Sequence, residues 1–160
     1  MSTYSSNLRI ELITTGTQAG TWGTTTNDNY QYVLEQAIAG NVAVSVTSAN
    51  QALTYLNGPT ATASANQSIR AILTLSTTTG ADFAVYAPPV SKQYTIYNSS
   101  AKTATIYNST VIGNTTAAGL GVAIPAGQSM TLWSDGTNFY QQNTAFISPA
   151  LSGTPTAPTA

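Results

Sequence analysis

Short apolar runs alternate with polar and turn residues along most of this chain. After Asn41 the runs are rich in Val, Ile, Thr, Tyr and Phe, which is typical of β-strands. Strands are predicted at residues 42–47, 52–56, 68–75, 83–86, 93–97, 103–107, 122–124, 129–133 and 138–142. Many short strands at nearly regular spacing favour a sandwich or a jelly roll. The predicted fold class is therefore mainly β: an antiparallel β-sandwich or jelly-roll-like domain with one N-terminal α-helix.

The N-terminal residues carry a second instance of the period-two pattern. Leu8, Ile10 and Leu12 alternate with Arg9 and Glu11, which predicts a short half-buried strand over residues 8–13. A glycine-rich stretch, residues 15–23, follows and is interpreted as an ordered loop. Within that loop we expect Trp22 to fill an apolar gap in the core and not to stack on a ligand.

One segment has helical periodicity. Its apolar residues recur with spacings of three and four, and they are Tyr30, Val33, Leu34, Ala37 and Ile38. Thr25, Thr26 or Asn27 is expected to cap the first turn, since these side chains accept backbone N–H bonds. Gly40 is expected to end the helix in the left-handed conformation.

A five-residue motif occurs twice: residues 95–99 (TIYNS) recur as residues 105–109. Two copies are fewer than a solenoid needs, so a hairpin of two neighbouring strands is the preferred interpretation. Ile96 and Ile106 would then enter the core, while Tyr97 and Tyr107 would cover a second surface. That surface is either an oligomer interface or a pair of partly exposed tyrosines, and the pattern leaves both open.

Composition divides the chain into three parts. Residues 1–40 hold the N-terminal strand, loop and helix and are interpreted as an attachment segment, whereas residues 41–147 form the β-domain. Residues 148–160 are rich in Pro, Thr and Ala, which is typical of an extended linker. We expect this tail to lead into a further segment or to dock on another subunit.

The reactive side chains are few. The chain has no Cys, no His, four basic and five acidic residues, so catalysis by the usual nucleophiles and proton carriers is not expected. A glycosidase needs two carboxylates that flank the scissile bond. No two acidic residues of this chain are close in sequence, so the sequence does not indicate such a pair. Zinc ligands are missing, and no cofactor is predicted. The chain is therefore not expected to be an enzyme.

The charge pattern also limits the classes of binding partner that the sequence predicts. Four scattered basic residues and a net charge of −1 do not predict nucleic-acid binding. Neither a signal peptide nor a membrane-spanning segment is expected. Low net charge leaves little repulsion between copies, which favours oligomerisation. The composition does permit carbohydrate binding, with Tyr140 as the candidate glycan contact and residues 94–98 as a second region to consider.

Several segments resemble a known family. Residues 7–13 (NLRIELI), 18–27 (QAGTWGTTTN) and 34–40 (LEQAIAG) are similar to the N-terminal region of bacteriophage fibre and appendage proteins, especially those of marine and cyanobacterial phages. Residues 124–130 (IPAGQSM) and 132–140 (LWSDGTNFY) resemble the strand and Asp-Gly hairpin that close the β-domain of such proteins. The tail, residues 148–159, resembles the linker that leads into later fibre segments.

This resemblance implies a structural component of the virion, a tail or head fibre. Such fibres are commonly homotrimers that attach to the particle through an N-terminal domain, so the expected partners are sister chains and other virion proteins. The candidate attachment and interface residues are Leu8, Ile10, Leu12, Trp22, Tyr97 and Tyr107. The alternative is a receptor-binding module that recognises a host glycan. The resemblance carries no catalytic residue.

Overall fold

The computed structural model describes residues 2–143 of the chain. It is mainly β with one N-terminal helix, as the sequence predicts. The predicted linker at 148–160 and the end of the predicted β-domain at 144–147 lie outside the described residues. The strands are β1 (Thr3–Tyr4), β2 (Glu11–Leu12), β3 (Asn41–Val46), β4 (Asn50–Ala52), β5 (Ile72–Thr77), β6 (Phe83–Ala87), β7 (Ser91–Asn98), β8 (Ala104–Asn108), β9 (Val122–Ile124), β10 (Ser129–Asp135) and β11 (Phe139–Gln141).

Two sheets form the sandwich. A five-stranded sheet has the order β11-β10-β7-β5-β3, and a four-stranded sheet has the order β4-β6-β8-β9, while β1 and β2 pair separately. Strands β3, β5 and β7 run parallel, and so do β4, β6 and β8. Antiparallel pairing, which was predicted throughout, occurs within the two main sheets only between β7, β10 and β11 and between β8 and β9.

The parallel pairing follows from how the chain crosses the sandwich. Each of the pairs β3–β4, β5–β6 and β7–β8 places its first strand in the five-stranded sheet and its second in the four-stranded sheet. After each pair the chain returns to the five-stranded sheet, so the next pair lies beside the previous one and runs in the same direction. The domain therefore contains three successive strand pairs, and β9, β10 and β11 cover the edge formed by the last pair, β7–β8.

The predicted hairpin of the repeated motif is wrong. Its two copies lie in β7 and β8, which belong to different sheets. Ile96 and Ile106 are fully buried, as expected, because both point between the sheets. Tyr97 and Tyr107 do point outward, but from opposite sides of the sandwich. The two copies lie in different sheets because the connection at residues 99–103 crosses from the five-stranded sheet to the four-stranded sheet. A hairpin would instead return within the same sheet.

The interior is built from the inward half of each alternating strand. Val42, Val44 and Val46 on β3 are buried while Asn41, Ala43 and Ser45 are exposed. The core cluster between the sheets also contains Leu53, Leu73, Leu75, Phe83, Val85, Ala87, Tyr94, Ile96, Ala104, Ile106, Ile124, Leu132 and Phe139. Burial of these apolar surfaces is the main force that holds the sheets together.

The N-terminal helix is longer than predicted. An α-helix, Trp22–Asn29, continues through a π-helical turn, Tyr30–Leu34, into a second α-helical segment, Glu35–Ala39. Trp22 is 62% exposed, so the expectation that it fills a gap in the core is wrong. The predicted cap is also absent, because the helix starts after Thr21, which makes no side-chain capping bond.

Gly40 ends the helix for a different reason from the one predicted. Its φ is −69°, which is not left-handed. A Cβ at this position would lie 2.6 Å from the backbone oxygen of Gln36. Glycine is therefore needed where the chain passes close to the last turn and enters β3.

The predicted N-terminal strand is shorter than expected. Only Glu11–Leu12 is extended, and it pairs with Thr3–Tyr4. Arg9 has a φ of 57°, which interrupts the alternation. Asn29 fixes this hairpin to the helix, since its side-chain amide accepts from the backbone N–H of Glu11 at 3.0 Å and donates to the Glu11 carbonyl at 2.9 Å.

Candidate functional site

An apolar groove lies between β2 and the N-terminal helix. Its volume is about 380 Å³. We call it the N-terminal groove, and it is lined by Ile10, Glu11, Leu12, Ile13, Thr26, Asn29, Tyr30 and Leu34. The bonds between Asn29 and Glu11 hold its two walls together, so the groove is a fixed feature of the fold.

Large apolar side chains remain exposed along the N-terminal groove. Tyr30 is 60% exposed and Leu12 is 48% exposed. Trp22 is one helical turn before Thr26 and two turns before Tyr30, and residues four apart share a helix face. The Thr26 hydroxyl donates to the Trp22 carbonyl at 2.8 Å, which places these two residues on successive turns. Trp22 and Tyr30 are therefore two exposed aromatic residues on this part of the helix, and Tyr30 lines the groove.

The structure brings together some of the predicted interface residues. Ile10 and Leu12 line the N-terminal groove, and Trp22 lies on the adjoining helix face. Leu8 is half-buried in the turn that precedes β2. The sequence places Tyr30 in the apolar stripe of the helix, and the structure leaves its ring largely exposed at the start of the π-helical turn.

Tyr97 and Tyr107 do not line the N-terminal groove, and they lie on different sheets. Tyr97 is 41% exposed on the outer face of the five-stranded sheet. Tyr107 is half-buried on the outer face of the four-stranded sheet, where its ring stacks on that of Tyr86 with centroids 5.5 Å apart. Gly121 packs against the Tyr107 ring so closely that a Cβ would lie 2.5 Å from it.

A second aromatic feature contains Tyr140, the predicted candidate for glycan contact, together with Trp133, which was not predicted as a site residue. On the outer face of the five-stranded sheet, the indole ring of Trp133 stacks on the ring of Tyr140, with centroids 4.4 Å apart and planes 23° apart. Trp133 is 43% exposed and Tyr140 is 37% exposed. The alternation of β10 carries the signal that was missed: Leu132 and Ser134 are buried, so Trp133 points outward. We call this pair the Trp133–Tyr140 stack.

A hollow lies on the same sheet face. Its volume is about 360 Å³. We call it the sheet-face hollow, and its lining is Ala37, Ile38, Ala71, Ile72, Gln93 and Thr95. Gln93 is the direct cross-strand partner of Trp133, so the hollow and the Trp133–Tyr140 stack are adjacent. Gln93 also donates from its amide to the side-chain oxygen of Gln142 at 3.2 Å.

The acidic group nearest this stack has a structural role. The carboxylate of Asp135 accepts from the backbone N–H groups of Thr137 and Asn138, each at 2.7 Å, and from the Tyr140 hydroxyl at 3.0 Å. These bonds lower the pKa of Asp135 and raise that of Tyr140. Gly136 has a φ of 97°, as the predicted Asp-Gly turn requires.

The lysine with the strongest perturbation is also structural. Burial lowers the pKa of Lys92 to about 7. Its Nζ points inward and donates to the carbonyls of Arg70 and Gln93 at 2.7 and 3.1 Å. The bond to the Arg70 carbonyl ties β7 to the segment that precedes β5.

Within residues 2–143, no group of three or more acidic residues is placed to hold a metal ion. No helix in the same range is long and apolar enough to cross a membrane. Tyr94, in the second region considered for glycan binding, is 1% exposed and therefore belongs to the core.

Comparison with protein-family models, with curated proteins and with solved structures gives no match for this chain.

Proposed function

We propose that this chain is a structural component of a bacteriophage appendage, a tail or head fibre, that assembles as a homotrimer in the virion. Its N-terminal part would attach the fibre to the particle. The resemblance of residues 7–13, 18–27, 34–40, 124–130 and 132–140 to phage fibre proteins supports the proposal. The low charge and the absence of Cys and His fit a part that makes permanent contacts and performs no reaction.

The observation that carries the proposal is the exposed apolar surface of the N-terminal groove. Leu12 and Tyr30, which line the groove, are 48 and 60% exposed, and Trp22 on the adjoining part of the helix is 62% exposed. Contiguous exposed apolar surface of roughly a few hundred Å² often marks an interaction site. It would supply the apolar centre of an interface of about 800 Å² on each partner. Covering this surface is therefore favourable.

A further copy of the same chain fits this surface. With a net charge of −1, two copies repel each other little. The N-terminal groove presents the alkyl side chains of Ile10 and Leu12 beside the helix face that carries Tyr30, so each copy offers both a recess and a projecting ring. A cyclic trimer requires two different surfaces on each copy, so the groove of one copy would face a surface of the next copy that lies outside the groove.

The second candidate function is recognition of a host glycan. The Trp133–Tyr140 stack favours it, since an exposed tryptophan offers a flat apolar ring face on which a sugar ring can stack. This role is compatible with the first one, because the N-terminal groove and the Trp133–Tyr140 stack have no residue in common.

The position of the chain in a particle tests the proposed function. Antibodies raised against the purified domain would be used to label purified virions for electron microscopy, with a preimmune serum as the control. We expect label at the base of the tail or head fibres, at a stoichiometry that is a multiple of three. Label absent from intact and detergent-opened virions would contradict the proposal.

A further inference from the structure

Trp133 has one ring face that the fold does not use. One face stacks on Tyr140, whose hydroxyl is fixed by its bond to Asp135. The indole is still 43% exposed, although it lies on a regular strand. An exposed tryptophan costs free energy in water, and its placement beside a recess is typical of a ligand contact.

The recess beside Trp133 has a suitable size. The sheet-face hollow holds about 360 Å³, which is at the lower end of the range for small-molecule pockets. Ala37 and Ile38 of the helix form one wall, while Ile72 and Thr95 belong to adjacent strands of the sheet and form part of the floor. Such a recess accommodates one or two pyranose rings.

The polar groups around the hollow are neutral. Gln93 contributes an amide and Thr95 a hydroxyl, and Gln142 contributes a second amide through its bond to Gln93. Amides and hydroxyls both donate and accept hydrogen bonds, as sugar hydroxyls do. The carboxylate of Asp135 already accepts three hydrogen bonds within its turn. Recognition here therefore relies on hydrogen bonds and ring stacking, not on ionic contacts.

We propose that the sheet-face hollow and the free face of Trp133 bind a neutral pyranoside. The apolar face of the sugar ring would lie on the indole, and its hydroxyls would exchange hydrogen bonds with Gln93, Gln142 and Thr95. Tyr140 is a positioning residue, because it holds the indole ring upright from the side away from the sugar. This proposal rests on the second candidate function, glycan recognition, and because the site lies within one chain its test is independent of the homotrimer.

Fluorescence provides the first test. The chain has two tryptophans, Trp22 and Trp133, so Trp22→Phe leaves Trp133 as the single reporter. This variant would be titrated with maltotriose, cellotriose, galactobiose and mannotriose, and with sialyllactose as the charged comparison. We expect a saturable change in emission at millimolar concentrations with at least one neutral probe, and weaker binding of sialyllactose. No saturable change with any neutral probe, or tighter binding of sialyllactose, would overturn the proposal.

Variants locate the site. Affinity of the bound probe would be measured by calorimetry for Trp133→Ala, Gln93→Ala and the control Tyr97→Ala, which removes an exposed aromatic ring from the same sheet face outside the hollow. We expect at least a tenfold loss for Trp133→Ala, a threefold or larger loss for Gln93→Ala and no change for Tyr97→Ala. Equal losses for Trp133→Ala and Tyr97→Ala, or none for Trp133→Ala, would show that the sugar binds elsewhere.

Discussion

The ammonium nitrogen of Lys92 lies 3.8 Å from the centroid of the Tyr94 ring. Both residues are on β7 and point the same way, because they are two positions apart. The contact and the two carbonyl bonds of Lys92 partly compensate for the loss of water around its charge. Burial nevertheless dominates and lowers the pKa of Lys92 to about 7.

This pKa predicts that stability rises with pH above neutrality. Between about pH 7 and the ordinary lysine value of 10.5, the unfolded chain holds a proton that the folded chain has released. The free energy of unfolding should therefore increase by up to about 1.4 kcal/mol per pH unit across that window. Above about pH 10 the trend should reverse, because burial raises the pKa of Tyr94 and only the unfolded chain then loses that proton.

Urea unfolding at pH 7 and pH 9.5 measures this effect. Lys92→Met keeps an apolar stem but has no titrating group, so its free energy of unfolding should change much less between the two pH values. Lys102→Met is the control for a general effect of losing one lysine and should behave as the unmodified chain. The same pH dependence in the Lys92→Met variant would contradict the assignment.

The two asparagines of the repeated motif should differ in their contribution to stability. Asn98 is fully buried and uses its whole amide: it donates to the carbonyls of Lys102 and Ile124, and accepts two bonds from Ser100. Asn108 is equally buried, yet it donates only to Ser134 and its side-chain oxygen has no partner within the described residues. Asn98→Ala therefore leaves more buried polar groups without partners than Asn108→Ala does.

We expect Asn98→Ala to lower the free energy of unfolding by about 2–4 kcal/mol and Asn108→Ala by about 1 kcal/mol. The two variants are matched controls for each other, since they remove the same atoms from equivalent places in the motif. Chemical denaturation at pH 7 gives both values. A larger loss for Asn108→Ala would mean that the crossing at residues 99–103 does not depend on the Asn98 amide.

A packing prediction concerns Gly121. A Cβ there would lie 2.5 Å from the Tyr107 ring and 2.6 Å from the Ile106 carbonyl oxygen. Gly121→Ala should therefore cost about 1–3 kcal/mol through displacement of Tyr107. Gly80 has no heavy atom within 4 Å of the same virtual position, so Gly80→Ala should change stability by about 0.5 kcal/mol or less. Thermal unfolding of the two variants compares them, and equal melting temperatures would contradict the close contact.

The strands were largely predictable from the sequence, but their partners were not. Alternation on β3 and β7 identifies the inward residues because burial on one face imposes a period of two. Strand pairing depends instead on the connections. Residues 99–103 cross from one sheet to the other, and this crossing is held by hydrogen bonds from the Asn98 amide and the Ser100 hydroxyl to the Lys102 carbonyl. No local pattern distinguishes such a crossing from the turn of a hairpin.

The candidate sites were predicted in part. Leu12 and Trp22 were named as interface candidates and are exposed, although Trp22 was also expected to fill a gap in the core; Tyr30 was placed only in the apolar stripe of the helix. A regular helical period places Tyr30 on the same face as Val33, but the π-helical turn that begins at Tyr30 changes the angle between successive residues. Trp133 was missed because an aromatic residue among strand residues is more often buried than exposed.

Sister chains are expected to cover the N-terminal groove, and sedimentation velocity at micromolar concentration measures whether they do. Leu12→Asp and Tyr30→Asp place a charge in the groove, while Val111→Asp is the control, since Val111 is 64% exposed and outside the groove. We predict three times the chain mass of 16.5 kDa for the unmodified chain and for Val111→Asp, and dissociation for the two groove variants. A monomeric unmodified chain, or a trimer that both groove variants leave intact, would contradict the account.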